Sequence, residues 1–166
     1  MIQTNFEKAL VKGSFAEDII KNLMESKGFV VYRPVTHGAH AFDMMAIKNK
    51  KKVVALDVKA KARRTYYQDT GVNLKHFYEY LDFAKQHNVE FWLLFIDEYE
   101  MKIYGNNLQK LQEPKIINGI EYPLIQNTRN GTQIIYWPLV NMITISVITD
   151  IQAQELKTMS QRNFEY

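Results

Sequence analysis

The chain has 166 residues, 46% hydrophobic, 23% charged and 13% aromatic, a composition that excludes a disordered segment, a collagen-like fibre and a coiled coil and fits one domain around a single core. It has no cysteine, which excludes disulfide frameworks, thiolate metal sites and cysteine nucleophiles and fits a reducing compartment. The net charge is only +3, but Lys48 to Arg64 holds eight basic residues against Asp57 alone, so that segment carries +7 and the rest of the chain −4.

Thr4-x-x-Glu7 and Ser14-x-x-Glu17 are capping-box patterns, each marking a helix start. The second predicts a helix over 14–27, with Ala16, Ile20, Leu23 and Met24 at helical spacing and Gly28 as its C-terminal cap. Glu17 shares the face of Ile20 and Met24. The run Phe29 to Val35 predicts a strand, and residues 36–40, with Gly38, a loop. Phe42 to Ile47 and Val53 to Ala62 predict an antiparallel hairpin about the polar turn Lys48–Lys52. Alternation sets Ala55, Asp57, Lys59 and Lys61 on one face and Val54, Leu56, Val58 and Ala60 on the other.

Residues 63–72 are expected as a loop, with Asp69-Thr70-Gly71 as turn and helix cap. Leu74, Phe77, Tyr78, Leu81 and Ala84 then trace an apolar stripe over a helix ending near Asn88. The uninterrupted apolar run Val89 to Ile96 has the character of a central, doubly covered strand. Met101 to Tyr104 and Ile134 to Trp137 are further strands, Asn118-Gly119 and Asn130-Gly131 are turn signals, and residues 138–166 are expected to be mainly helical, with Thr144 to Thr149 ambiguous. No repeat or linker divides the chain, so 1–166 is expected to be one domain. No apolar run reaches the roughly 20 residues of a membrane span. The N-terminus has neither the basic nor the apolar region of a secretion signal, so the expectation is a cytoplasmic protein.

Asp43, Asp57 and Lys59 are the residues in which chemistry concentrates. A period of two puts Asp57 and Lys59 on one face about 6.6 Å apart, and the hairpin brings Asp43 alongside. Two adjacent carboxylates repel unless a cation lies between them; Mg²⁺ binds such oxygens and activates water, and a lysine at the same place stabilises charge developing on phosphorus. Glu25-Ser26-Lys27, Glu100-Met101-Lys102 and Glu155-Leu156-Lys157 repeat the acid-x-lysine pattern, but only Asp57-Val58-Lys59 lies in an alternating strand paired with one bearing Asp43. The structural alternatives are a Ser14–Glu17 cap and an Asp43–Lys59 ion pair.

This arrangement resembles the PD-(D/E)XK nuclease superfamily over about residues 14–96, with small phage nucleases and archaeal Holliday-junction resolvases among its compact members. The resemblance implies an α/β fold with a restriction-endonuclease-like αβββαβ core and a mixed central sheet; outside this core the C-terminal extension is expected to be mainly helical. It implies that Asp43, Asp57 and the Val58 carbonyl ligate Mg²⁺ or Mn²⁺, that Lys59 acts on the attacking water, and that Glu17 assists from the first helix. Phe42 stands where the motif has proline, and the helix after the third strand offers Asn73, Lys75, His76 and Tyr78 without the glutamine some members use.

Beyond the acids, Lys61, Arg63, Arg64, Tyr66 and Tyr67, with Lys75 on the next helix, mix cations and aromatics as DNA-binding surfaces do; the alternative is a solvated basic loop. His37-x-x-His40 is a metal pair or an ordinary polar loop, and Asp97 and Glu98 close the apolar strand. The expectation is a Mg²⁺-dependent deoxyribonuclease, structure-selective in recombination, repair or mobile-element DNA processing, with DNA and a second copy of the chain as partners. The rival readings are a catalytically silent nucleic-acid-binding module and an interaction subunit using Tyr99, Tyr104, Tyr122 and Tyr136 as a surface.

Overall fold

The computed structural model describes residues 5–35, 41–49 and 52–159. The Thr4 cap, the His37-x-x-His40 loop, Lys50 and Lys51 lie outside the described residues.

Helix α1 (Asn5–Ser26) is one helix where the sequence predicts a break. Ser14 is an interior residue, so the Ser14–Glu17 capping box does not form. The cause is tertiary: Ala16, Ile19, Ile20 and Met24 pack into the core, and Lys12 Nζ, beside the expected break, lies 2.7 Å from buried Glu98. Together these offset the roughly 1 kcal/mol that Gly13 costs a helix.

Strands β1 (Val30–Tyr32), β2 (Met44–Lys48) and β3 (Lys52–Ala60) form the expected antiparallel meander. Strand β4 (Asp69–Asn73) leads into α2 (Leu74–His87), capped by the Asn73 side chain, which accepts from the Lys75 amide. This helix is the crossover that brings β5 (Glu90–Asp97) parallel to β3. Strand β6 (Lys102–Asn107) and, much later, β11 (Ile143–Val147) complete a mixed sheet in the order β1-β2-β3-β5-β6-β11.

Two apolar layers enclose that sheet. Val54, Leu56 and Val58 of β3 meet α1 and α4 (Asp150–Thr158) on one face. Ala55 of β3 and Leu93 and Phe95 of β5 meet Phe77 and Tyr80 of α2 on the other, together with Ile135 and Trp137 of β10 (Gln133–Pro138). The alternation predicted for β3 is therefore observed, and Asp57 and Lys59 fall on the α2 face.

The C-terminal extension departs from expectation: it is mostly strand. Besides β6, β10 and β11 it holds β7 (Lys115–Ile117), β8 (Ile120–Tyr122) and β9 (Leu124–Asn127), and among the described residues its helices are α3 (Leu108–Leu111), a short 3₁₀ turn at 139–141 and α4. Asn118 and Gly119, both at positive φ, make the tight β7–β8 turn that their sequence signals. The ambiguous Thr144 to Thr149 resolves toward β11, because pairing with β6 outweighs the surrounding helical pattern.

Residues 69–72 are also not the expected turn. Asp69, Thr70 and Gly71 belong to β4, which pairs with β10 in a second sheet of order β4-β10-β9. A Cβ on Gly71 would lie 2.2 Å from the Ile135 carbonyl oxygen, so glycine here permits close strand approach rather than a turn. Gly71→Ala should destabilise the domain by about 1–3 kcal/mol, read as a lower midpoint in urea denaturation; an unchanged midpoint would contradict this packing.

The tyrosine interaction surface does not form as a unit, since Tyr104 and Tyr122 are buried. No helix among the described residues is long and apolar enough to cross a membrane.

Candidate active site

The site lies where β3 outruns β2. The β2–β3 register ends at Met44↔Leu56, and the Asp43 amide donates to the Leu56 carbonyl at 2.9 Å, so beyond this point β3 has no strand partner on that edge among the described residues. Asp43, just before β2, uses its side chain there: Oδ2 accepts from the Val58 amide at 2.7 Å. An extended residue's N–H and C=O point to the same strand edge, so the Val58 carbonyl shares the Asp43 side.

Asp57 is 4% exposed. Lys59 Nζ lies 2.7 Å from Asp57 Oδ2 as an ion pair. Burial pushes the Asp57 pKa up to about 6; Lys59 pulls it down and Asp43 pushes it further up. Burial disfavours the Lys59 ammonium, but Asp57, Tyr80 and Asp43 outweigh it and hold the pKa above the ordinary lysine value. Lys59 therefore stays a cation at neutral pH and is not a free base.

Tyr80 completes the cluster, and the sequence pattern does not single it out. It projects from α2 onto the same face, with its hydroxyl within hydrogen-bonding reach of Asp57 and Lys59 and its ring 5.8 Å from Lys59 Nζ. Burial first, and then the Asp57 charge, raises its pKa, so the hydroxyl remains a donor. The stripe predicted on α2 assigns this place to Tyr78, which is exposed. Spacing from Phe77 by three and to Ala84 by four is the signal that could have found Tyr80. Tyr80→Phe removes one hydroxyl beside two charges and should leave the melting temperature within about 1–2 °C of wild type, read by thermal denaturation; a larger loss would give the hydroxyl a structural role.

Glu17 lies half-buried on α1, which packs on the opposite face of the sheet from Asp57 and Lys59. The structure thus brings together Asp43, Asp57, Val58 and Lys59 and adds Tyr80. The rival acid-x-lysine triplets fall on α1, on α4 and in the turn after β5. Among the described residues no group of three or more histidines and acids clusters as a ready metal site. Two carboxylates and a strand-edge carbonyl nonetheless form an all-oxygen set suited to a hard divalent cation.

The basic segment is more structural than expected. Arg64 forks onto Asp69, which is completely buried, and donates to Gln126 Oε1 at 2.7 Å while stacking between Tyr67 and Tyr136. Arg63 reaches Glu100 at 3.3 Å, and Lys61 Nζ donates to the Gly71 carbonyl at 2.8 Å. Tyr66 and Lys75 are exposed. Asp97 does close β5: its Oδ1 accepts from the Tyr99 and Glu100 amides. A recess of about 720 Å³ lined by Lys85, Glu90 and Gln109 lies at the opposite end of β5 from the acids.

Comparison with known structures places this architecture. The chain has the restriction-endonuclease-like fold: it matches the Holliday junction resolvase Hjc of the archaeal hyperthermophile Archaeoglobus fulgidus over 81% of this chain and 92% of that one, at 12% identity and a TM-score of 0.55. A nuclease from a fusselovirus matches over 96% of both chains at 14% identity, with a TM-score of 0.49 that is too low to argue from. No family model and no curated protein matches the sequence.

Proposed function

We propose that the protein is a divalent-metal-dependent deoxyribonuclease that hydrolyses phosphodiester bonds at the Asp43–Asp57–Lys59 site. The observation that carries this reading is Asp57: a buried carboxylate whose pKa burial raises, held beside a second acid and paired at 2.7 Å with a permanent cation. A fold built for core stability alone would gain from an amide or an apolar residue here.

Asp43, Asp57 and the Val58 carbonyl would hold Mg²⁺ or Mn²⁺. The bound ion supplies Lewis-acid polarisation of the phosphate and of water. Lys59, fixed as an ammonium by Asp57 and Tyr80, stabilises negative charge developing on the phosphorus oxygens and orients the attacking water through its N–H groups. Tyr80 holds Lys59 in place. Lys61, Arg63, Arg64, Tyr66, Tyr67 and Lys75 belong to the DNA-facing rim, with Arg64 acting through the aromatic rings it braces.

The likeness to a Holliday junction resolvase favours branched DNA as the substrate. Cutting two strands calls for two sites, and hence a homodimer in the cytoplasm. Linear, single-stranded, nicked and four-way-junction DNAs should be incubated with Mg²⁺, Mn²⁺ or chelator, with Asp57→Ala alongside. Products that require both the metal and Asp57 are expected. Cleavage by Asp57→Ala at the wild-type rate would refute the assignment.

A further inference from the structure

Next to Arg64 and Tyr67 is a recess of about 540 Å³, lined by Tyr67, Glu121, Pro123 and Gln126 among others. Its walls come from three separate segments, and one buried charge pair fixes all of them. Asp69 holds Arg64 and accepts from the Tyr122 hydroxyl at 2.8 Å, which pins β8 next to Glu121. Arg64 in turn donates to Gln126 on β9 and stacks under Tyr67, its guanidinium carbon 4.2 Å from that ring centre and 3.8 Å from Tyr136 on the far side. An arginine committed in this way has little left for a phosphate; what it does is hold the Tyr67 ring rigid at the mouth of the recess.

We infer that this recess receives one unpaired nucleobase of the DNA, stacked on Tyr67. Stacking on a pre-positioned aromatic ring accepts any base and needs no ordering of the ring on binding. Gln126 accepts from Arg64 through Oε1, so its amide N–H groups are left to donate to a base edge, and the Glu121 carboxylate accepts from an exocyclic amino group. A carboxylate at this position suits a base edge and would repel a phosphate. Tyr66, 93% exposed, offers a second ring on the approach. Eight residues separate Lys59 from Tyr67, at most about 28 Å of chain, or about eight base-pair steps at roughly 3.4 Å each; one DNA molecule can fill both sites.

This subsite rests on the DNA-nuclease reading, yet its test involves no turnover. In chelator, the affinity of the wild-type chain for a duplex with one unpaired nucleotide is compared with that for the fully paired duplex, by fluorescence anisotropy. A preference of on the order of tenfold is expected, kept in Tyr67→Phe and lost in Tyr67→Ala. In parallel, 5-iodouracil at the unpaired position should photocrosslink to Tyr67 of the unmodified chain, a readout independent of how the variants fold. Equal affinity for both duplexes, or a crosslink to Tyr67 no stronger than from a paired position, would overturn the inference. Asp57-dependent cleavage without the preference would leave the metal site standing and remove the subsite; the preference without cleavage would do the reverse.

Discussion

Asp57→Asn should raise the melting temperature of the protein in chelator by roughly 5–10 °C at pH 8, while its DNA cleavage falls to background. The pKa of Asp57 moves from 3.8 in an exposed setting to about 6 in the fold. At about 1.4 kcal/mol per pKa unit the ionised form therefore costs the native state about 3 kcal/mol, and a domain of this size gains about 2–4 °C per kcal/mol recovered. A raised carboxyl pKa means that the native state binds the proton more tightly than the unfolded chain. The native state is therefore free of the cost below pH 4, loses stability as pH rises through 6, and bears the whole cost above it. The gap between variant and wild type should open between pH 4 and 6 and stay constant above. Thermal melts across that range check it, and a variant that is less stable than wild type at pH 8 would contradict it. Stability lost at one carboxylate and recovered only with a bound cation is the signature of a functional site.

Arg64→Ala should cost about 3–5 kcal/mol, because Asp69 is wholly buried and loses the fork that neutralises it. In the sequence this arginine belongs to a run of cations and aromatics of the kind found on DNA-binding surfaces. The structure predicts mainly a fall in stability, since the guanidinium is spent on Asp69, Gln126 and two rings. Arg64→Lys should recover little, because an ammonium cannot fork or stack. Asp69→Asn added to Arg64→Ala should restore part of the loss by removing the stranded charge. Urea denaturation of the wild type, Arg64→Ala, Asp69→Asn and the double variant closes the cycle, and a cost for Arg64→Ala under about 1 kcal/mol would mean that the buried pair does not form.

The core hairpin and its acid-x-lysine were legible because a period of two is unambiguous in a strand flanked by polar turns, and Asp57 and Lys59 fall where that period puts them, with Asp43 just before β2. What the sequence hid depends on partners far along the chain. Asp69-Thr70-Gly71 has the composition of a turn, and only β10, more than 60 residues later, makes it a strand. The break expected at Ser14 is overridden by a lysine that pairs with Glu98. Tyr80 was missed for a local reason: two tyrosines two positions apart on a helix both approximate the apolar stripe, and packing against Phe91 selects Tyr80. Arg64 looked like part of a DNA surface because a run of basic residues does not reveal which of them faces a buried acid.

Asp43 and Asp57 are proposed to hold a divalent cation in competition with the Lys59 ammonium, 2.7 Å from Asp57 Oδ2. The most direct test is calorimetric titration of Mn²⁺ into the wild-type chain, Asp57→Asn and Lys59→Ala. The wild type should bind Mn²⁺ and Asp57→Asn should lose binding. Lys59→Ala should bind at least as tightly as wild type, because a competing positive charge 2.7 Å from Oδ2 is gone. No Mn²⁺ binding by the wild type, or equal binding by Asp57→Asn, would contradict the account.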